Sequence, residues 1–116
     1  MTRTLLLSLI ALLISKSVFA AKVKEEYLDE FLETASLLTK ETRGKRKGCI
    51  SDSFNQRQDD PTEFVLYEQW ETENDLNEHI RQLAVLLGPP KPGGVLPEKL
   101  VAMYASAKPV YYNEVQ

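Results

Sequence analysis

The chain is short, mildly acidic and poor in the residues that most metal sites require. It has 116 residues, with 14 Lys or Arg against 17 Asp or Glu, a formal net charge of −3. This length holds one hydrophobic core but not two, and the charge does not favour nucleic acid. One Cys and one His cannot form an internal disulfide or a Cys/His zinc cluster.

The first twenty residues have the pattern of a secretory leader. Arg3 precedes an apolar run from Leu5 to Ile14, and the ending Val18-Phe-Ala20 favours cleavage after Ala20. We therefore expect an exported, periplasmic or membrane-anchored protein in preference to a cytoplasmic one, touching the membrane only through an uncleaved leader. The segment Ser15 to Val23 also predicts the first strand, which that cleavage would largely remove. An uncleaved anchor or an earlier cut would reconcile the two predictions.

The segment from Glu25 to Thr42 predicts an amphipathic helix. Its acidic first turn suits the positive end of the helix dipole. Its apolar face consists of Tyr27, Leu28, Phe31, Leu32, Ala35 and Leu38. The basic cluster from Arg43 to Lys47 follows, and a solvated helix end explains it more simply than an anion site does.

Two strands are predicted next, from Cys49 to Gln56 and from Glu63 to Trp70, with Asp59, Asp60 and Pro61 in the loop between them. Alternation places Ile50, Phe54 and Gln56 on one face of the first strand, and Cys49, Ser51, Ser53 and Asn55 on the other. In the second strand Phe64, Leu66, Glu68 and Trp70 alternate with Val65, Tyr67 and Gln69. Both faces are largely apolar, so this strand should be covered on both sides. Cys49 fits a small buried side chain better than a nucleophile.

A second helix is predicted after Thr72, which forms a capping pair with Asp75. Its apolar stripe consists of Leu76, Ile80, Leu83 and Leu87, and His79 borders that stripe. The helix should end at Gly88, before two prolines. A third helix is predicted from Leu96 to Ala107, and a last strand from Val110 to Val115.

This order of elements predicts an α+β fold. Two halves of this kind form a ferredoxin-like four-stranded antiparallel sheet with its helices on one face. No further elements are available to cover the other face. We therefore expect a homodimer in which a second copy of the chain packs against that face.

Three features together resemble a known family: Gly48-Cys49, the run Phe64-Val-Leu-Tyr-Glu-Gln-Trp70, and His79. They are similar to the antibiotic biosynthesis monooxygenase domain, a set of small dimeric α+β barrels that includes quinol monooxygenases. The resemblance covers the chain from Ser17 to Val115 and implies one such domain over residues 17–116. The segment from Gly88 to Pro97 departs from the simplest members, because it is longer and richer in proline and glycine.

The resemblance implies a monooxygenase that uses molecular oxygen on a phenol, quinol or related small aromatic, with no cofactor and no metal. His79 would take a proton from the substrate near neutral pH, and Trp70 would stack on its ring. Asn55, Glu68 and Tyr104 would bind the substrate through hydrogen bonds. Each residue also has a structural alternative: Trp70 as core or interface, and His79 as a hydrogen-bonded core residue.

Two other functions compete with this prediction. Haem degradation in this family pairs a Trp and a helical His with an Asn from the first strand, and the segment Ser15 to Val23 contains no Asn. The other alternative is a dimeric binding or stress-response domain without catalytic turnover.

Overall fold

The computed structural model describes residues 15–113 and residue 115. Four strands form the sheet: β1 (Ser15–Val23), β2 (Cys49–Gln56), β3 (Glu63–Trp70) and β4 (Tyr104–Tyr112). The helices are α1 (Leu28–Thr42), α2 (Glu73–Leu87) and the single turn α3 (Glu98–Val101), and a 3-10 turn (Glu25–Tyr27) precedes α1. The apolar run of the predicted leader, Leu5 to Ile14, lies outside the described residues. None of the described helices is long and apolar enough to cross a bilayer.

The sheet has the order β2-β3-β1-β4, and every neighbouring pair is antiparallel. The helices cover one face of it, which confirms the predicted ferredoxin-like α+β fold. Their side of the sheet carries the alternate residues Phe64, Leu66, Glu68 and Trp70 of β3, as the alternation predicted. Strands β1 and β3 are the two central strands, so residues on this face of them are the most enclosed.

The core lies between α1 and the sheet. Its buried members are Val23, Phe31, Ala35, Phe64, Leu100 and Met103. Phe31 is the centre of an aromatic cluster, with its ring 4.7 Å from that of Phe64 and 5.7 Å from that of Tyr104. This packing fixes α1 on the sheet and leaves the space under α2 to a different set of side chains.

The C-terminal part of the prediction is wrong in its boundaries. The helix predicted from Leu96 to Ala107 is only the turn α3, and the strand predicted from Val110 already begins at Tyr104. The reason is that β4 pairs with β1 along its length, from Val23 opposite Tyr104 to Lys16 opposite Tyr112. Those ladder hydrogen bonds outweigh a local helical pattern. Pro109 is tolerated because β4 is an edge strand.

The pattern in β2 also needs one correction. The pairing of β2 with β3 shifts between Cys49 and Ser51, so Cys49 lies opposite Trp70 while Ser51 lies opposite Gln69. Ile50 falls in this irregularity and is half exposed, rather than facing inward with Phe54. Asp52 lies in the regular part of this ladder, opposite Glu68, and faces inward with Phe54.

Candidate active site

A buried polar cluster lies between the sheet and α2. Asp52 of β2, Glu68 and Trp70 of β3, and His79 of α2 are 4%, 6%, 0% and 6% exposed, respectively. Glu68 lies opposite Asp52 on one side and opposite Ser17 of β1 on the other. Such enclosure makes each polar contact energetically important, because water cannot replace a lost partner.

The local sequence explains how α2 brings His79 to the sheet. The Thr72 side chain accepts a hydrogen bond from the Asp75 backbone N–H at 3.0 Å, so the predicted cap is confirmed and fixes the start of the helix. Leu76, His79 and Leu83 then lie on the buried face of α2. The single imidazole of the chain is therefore held against β3 by the apolar residues on either side of it.

Glu68 connects the cluster through both of its carboxylate oxygens. Oε2 accepts a hydrogen bond from the Trp70 indole Nε1 at 3.3 Å, and Oε1 lies 3.4 Å from His79 Nε2. The Trp70 and His79 rings are stacked, with centroids 4.7 Å apart and planes at 29°. Because Nε2 faces Glu68, the tautomer with its proton on Nε2 keeps a lone pair on Nδ1. Nδ1 is buried and has no hydrogen-bond partner among the described residues.

Asp52 was not singled out from the sequence, although it is as enclosed as the predicted residues. Burial raises the pKa of Asp52 from 3.8 to about 7, and the nearby Glu68 acts in the same direction. Arg43 opposes this rise. Strand alternation could have indicated Asp52, because it falls on the same predicted face of β2 as Phe54 and Gln56. Its cross-strand partner could not be read from the sequence without the register.

A cavity of about 140 Å³ adjoins this cluster. Its walls are mainly apolar, and its polar lining residues include Ser17, Thr42, Asp52, Glu68, His79 and Tyr104. A dry cavity of about 150 Å³ in another protein holds benzene, so this volume corresponds to one aromatic ring. Val95 and Leu96 also line it, which brings the unusual segment from Gly88 to Pro97 to the cavity wall.

The structure separates the five predicted site residues. His79, Glu68 and Tyr104 line the cavity, whereas Trp70 is not among its lining residues and lies behind His79. The Trp70 ring therefore does not stack directly on a substrate in this cavity. Burial strongly raises the pKa of Tyr104, so its hydroxyl stays protonated and can donate a hydrogen bond.

Asn55 lies away from the other predicted residues. It is exposed on β2, where its amide donates to the carbonyl oxygens of Ser53 and Val65 at 3.2 Å. Its neighbours Phe54 and Gln56 face the helices, so Asn55 faces the opposite side of the sheet. The prediction that Asn55 binds the same substrate as His79 is corrected by this placement.

Cys49 adjoins the cluster but does not have the surroundings of a nucleophile. Burial raises the pKa of its thiol, and the charges of Asp52 and Glu68 raise it further, against a smaller opposing effect of Arg43. A thiol that holds its proton at neutral pH is a poor nucleophile. The geometry therefore agrees with a small, partly buried side chain opposite Trp70.

Three side chains in the cluster offer atom types that bind metals. One such atom from each of Asp52, Glu68 and His79 lies within 4.8 Å of the others. However, Glu68 already accepts from Trp70 with one oxygen and faces His79 Nε2 with the other. These contacts describe a hydrogen-bonded network in which each Glu68 oxygen already has a protein partner.

Comparison with known proteins gives the family. The family model of the antibiotic biosynthesis monooxygenases matches residues 16–84, which is more than half of the chain and includes the whole polar cluster. The chain belongs to the antibiotic biosynthesis monooxygenase family. A comparison with curated protein sequences finds no match.

Several solved structures share this fold. A Nitrosomonas europaea protein whose name places it in the same family is 23% identical, with a TM-score of 0.73, and the alignment covers 90% of this chain and 92% of that one. A conserved protein from Methanosarcina mazei Go1 is also 23% identical, with a TM-score of 0.69 and coverage of 93% and 99%. A Caulobacter crescentus CB15 protein is 14% identical, with a TM-score of 0.70 and coverage of 94% and 96%. At these identities the likeness establishes the fold.

Proposed function

We propose that this protein is a monooxygenase that oxygenates a single-ring phenol, quinol or related small aromatic with molecular oxygen, without a metal or flavin. The observation that carries the proposal is the Glu68–His79 pair at the wall of an apolar, ring-sized cavity. The family supports oxygenase chemistry in general. The volume of the cavity supports one ring, and β1 contains no Asn, so haem degradation is the weaker alternative.

In this mechanism the chain supplies a proton acceptor and a dry site. Glu68 holds the imidazole through Nε2, so the lone pair of His79 on Nδ1 accepts the hydroxyl proton of the substrate as the ring enters. The resulting phenolate is electron-rich and transfers its electrons to oxygen. One oxygen atom becomes a ring carbonyl oxygen in place of a ring hydrogen. The other leaves as water with that hydrogen and the hydroxyl proton, so the product is at the quinone level, the substrate provides every electron that oxygen accepts, and no external reductant is needed.

Trp70 has an indirect role in this proposal. Its stacking on His79 and its hydrogen bond to Glu68 hold the two members of the proton-accepting pair in one geometry. The apolar lining around them excludes water, which strengthens the electrostatic effect of Glu68 on the imidazole. Tyr104 is placed to donate a hydrogen bond to an oxygen of the bound substrate.

We further propose that the active form is a homodimer. The sheet face without helices carries the apolar side chains of Val18, Val65, Tyr67 and Val110, with polar residues such as Gln69 and Lys108 beside them, and these apolar residues are only partly buried or exposed. A second copy of the chain would cover this face while leaving the cavity on the helix side open to substrate.

The decisive experiment measures oxygen consumption with a panel of monocyclic phenols, hydroquinones and catechols. We expect His79→Gln and Glu68→Gln to lower kcat/KM by roughly 10² to 10⁴, the usual contribution of a positioned acid or base. Trp70→Phe should give a smaller loss. Glu78→Gln is the matched control, because Glu78 lies on the exposed side of α2 beside Arg81 and Gln82.

Two results would contradict the proposal. If wild-type protein consumes no oxygen above the autoxidation background with any compound, the domain without turnover becomes the better explanation. If activity persists in both His79→Gln and Glu68→Gln, the reaction occurs but these residues do not carry it.

A further inference from the structure

Two acidic side chains face each other inside the protein. Asp52 of β2 lies directly opposite Glu68 of β3, and both are almost fully buried on the helix side of the sheet. Residues directly opposite on neighbouring antiparallel strands bring their side chains together. One oxygen of each carboxylate lies within 4.8 Å of the other. Two carboxylates this close in a water-poor interior cannot both carry a charge without a large cost in free energy. The pair must hold either a counter-ion or a proton.

A counter-ion from the protein does not neutralise Asp52. Among the described residues, no ion pair includes it. Arg43, at the end of α1, acts on the carboxylate only at longer range, because its Nε donates to the main-chain oxygen of Asp52 at 2.6 Å. The Arg43 side chain is thus used to fix the backbone of β2 rather than to pair with the acid.

The missing element is a hydrogen atom. Asp52 Oδ1 is buried and has no hydrogen-bond donor among the described residues, although unpartnered buried oxygens are uncommon. A carboxylic acid differs from a carboxylate in that it can donate one hydrogen bond. A protonated Asp52 would satisfy this position by donating to the carboxylate that faces it.

We propose that Asp52 is a positioning residue of the site: its carboxyl group shares a proton with Glu68 and thereby holds Glu68 as the anion that orients His79 and Trp70. Glu68 then receives hydrogen bonds from three groups, the Asp52 hydroxyl, the Trp70 indole and His79 Nε2. The hydrogen bond itself is independent of the proposed reaction, and only its catalytic consequence rests on the proposed function.

The shared proton makes the arrangement sensitive to pH. The groups that face Asp52 are Glu68 from β3, His79 from α2, Arg43 from the end of α1 and Cys49 from its own strand. Burial and Glu68 together raise the pKa of Asp52 to about 7, so the proton is lost as the pH rises past neutrality. Glu68 then loses a donor and gains a repelling neighbour, and its hold on His79 and Trp70 weakens.

The test follows the carboxyl carbons of the full-length protein, labelled with carbon-13 in its aspartates, by NMR across a pH titration. We expect one Asp carboxyl signal to titrate near pH 7 and to be missing in Asp52→Asn. The exposed loop variant Asp59→Asn is the matched control and should retain that signal. EDTA is added to one set of samples to reveal any bound ion.

A second measurement uses the indole N–H signal of Trp70, the single tryptophan of the chain. Asp52→Asn can donate its amide hydrogen to Glu68 at every pH. Its indole N–H signal should therefore have, at every pH, the chemical shift that wild type shows below neutral pH. Asp52→Leu cannot donate and should shift it. In turnover, Asp52→Leu should lower kcat/KM by roughly tenfold or more, while Asp52→Asn stays within about threefold of wild type and loses the decline above neutral pH.

Several outcomes would overturn the proposal. They are ordinary acidic titration of every Asp carboxyl, identical indole signals in Asp52→Asn and Asp52→Leu, or signals of the cluster that change on adding EDTA, which would mean that an ion occupies it. A carboxyl that titrates near neutrality in a protein that consumes no oxygen would support the shared proton and refute the proposed function. The two ideas therefore fail separately.

Discussion

At the scale of single residues, the contribution of Asp52 to the stability of the folded protein should depend on pH. Folding raises the pKa of Asp52 from 3.8 to about 7, so the folded protein keeps this proton in a range where the unfolded chain has lost it. Well below pH 4 Asp52 is protonated in both the folded and the unfolded protein, so its pKa shift does not lower the stability. Between there and about pH 7 the unfolded chain binds fewer protons, so wild-type stability should fall as the pH rises.

Asp52→Asn should remove this dependence, because an amide does not ionise. We expect the stability of Asp52→Asn relative to wild type to be greater at neutral pH than at pH 4. The difference between the two free energies of unfolding should increase by at least about 1 kcal/mol. Urea unfolding of both proteins at the two pH values measures the difference. Asp59→Asn serves as the control, and the same pH-independent offset for both variants would contradict the prediction.

The sequence predicted some site residues for reasons that the structure explains. His79 and Glu68 could be placed on inward faces because helical spacing and strand alternation are local properties. Asp52 could not be recognised as a partner of Glu68, because their proximity depends on the register of β2 against β3. Likewise, only the packing of α2 shows that Trp70 stacks on His79 rather than lining the cavity.

At the scale of elements, the turn between α1 and β2 controls the position of α2. Gly48 has φ 80°, and a Cβ atom at this position would overlap the side chain of Asp75 in the first turn of α2. Its carbonyl oxygen also accepts from the backbone N–H of Glu71 at 2.8 Å. A glycine is therefore required both for the backbone conformation and for the close approach of the helix that carries His79.

Gly48→Ala should accordingly destabilise the protein by roughly 2 to 4 kcal/mol, as a strained backbone and a steric overlap add together. Gly44→Ala is the matched control. Gly44 also has a positive φ, 69°, but nothing lies within 4 Å of its added Cβ, so only the backbone cost of about 1 kcal/mol applies. Thermal or urea unfolding distinguishes them, and equal losses would show that the contact with Asp75 is relieved without cost.

Elements with strong local signals were predicted well, and those defined by distant pairing were not. The cap at Thr72 and the alternation in β3 are contained within a few residues. The start of β4 is decided by its pairing with β1, which is some eighty residues away in sequence, so a helical pattern near Leu100 extended the prediction too far. The central position of β1 also sharpens the conflict with a predicted cleavage after Ala20, since that cut would remove most of a strand that is paired on both sides.

At the scale of the whole molecule, the two faces of the sheet differ in how well they are covered. The helix face is buried against α1 and α2, whereas Val65 on the other face is 39% exposed and Tyr112 is 52% exposed. An apolar band across the strands of an open sheet is typical of an interface. The charge of the chain is too small to keep two such faces apart, so association with a second copy is the expected outcome.

A charge placed on this face should separate the subunits. We expect wild type to have the mass of two chains by light scattering at micromolar concentration, and Val65→Lys to have the mass of one, because a dimer would bury an unpaired ammonium group. Val85→Lys is the matched control: Val85 is 76% exposed on α2, away from the sheet, and its replacement should leave the mass unchanged. Circular dichroism checks that both variants fold. A wild type with the mass of one chain, or a Val65→Lys variant with the mass of two, would show that a second copy does not cover this face. Oxygen consumption by monomeric Val65→Lys would show that the cavity functions without the dimer.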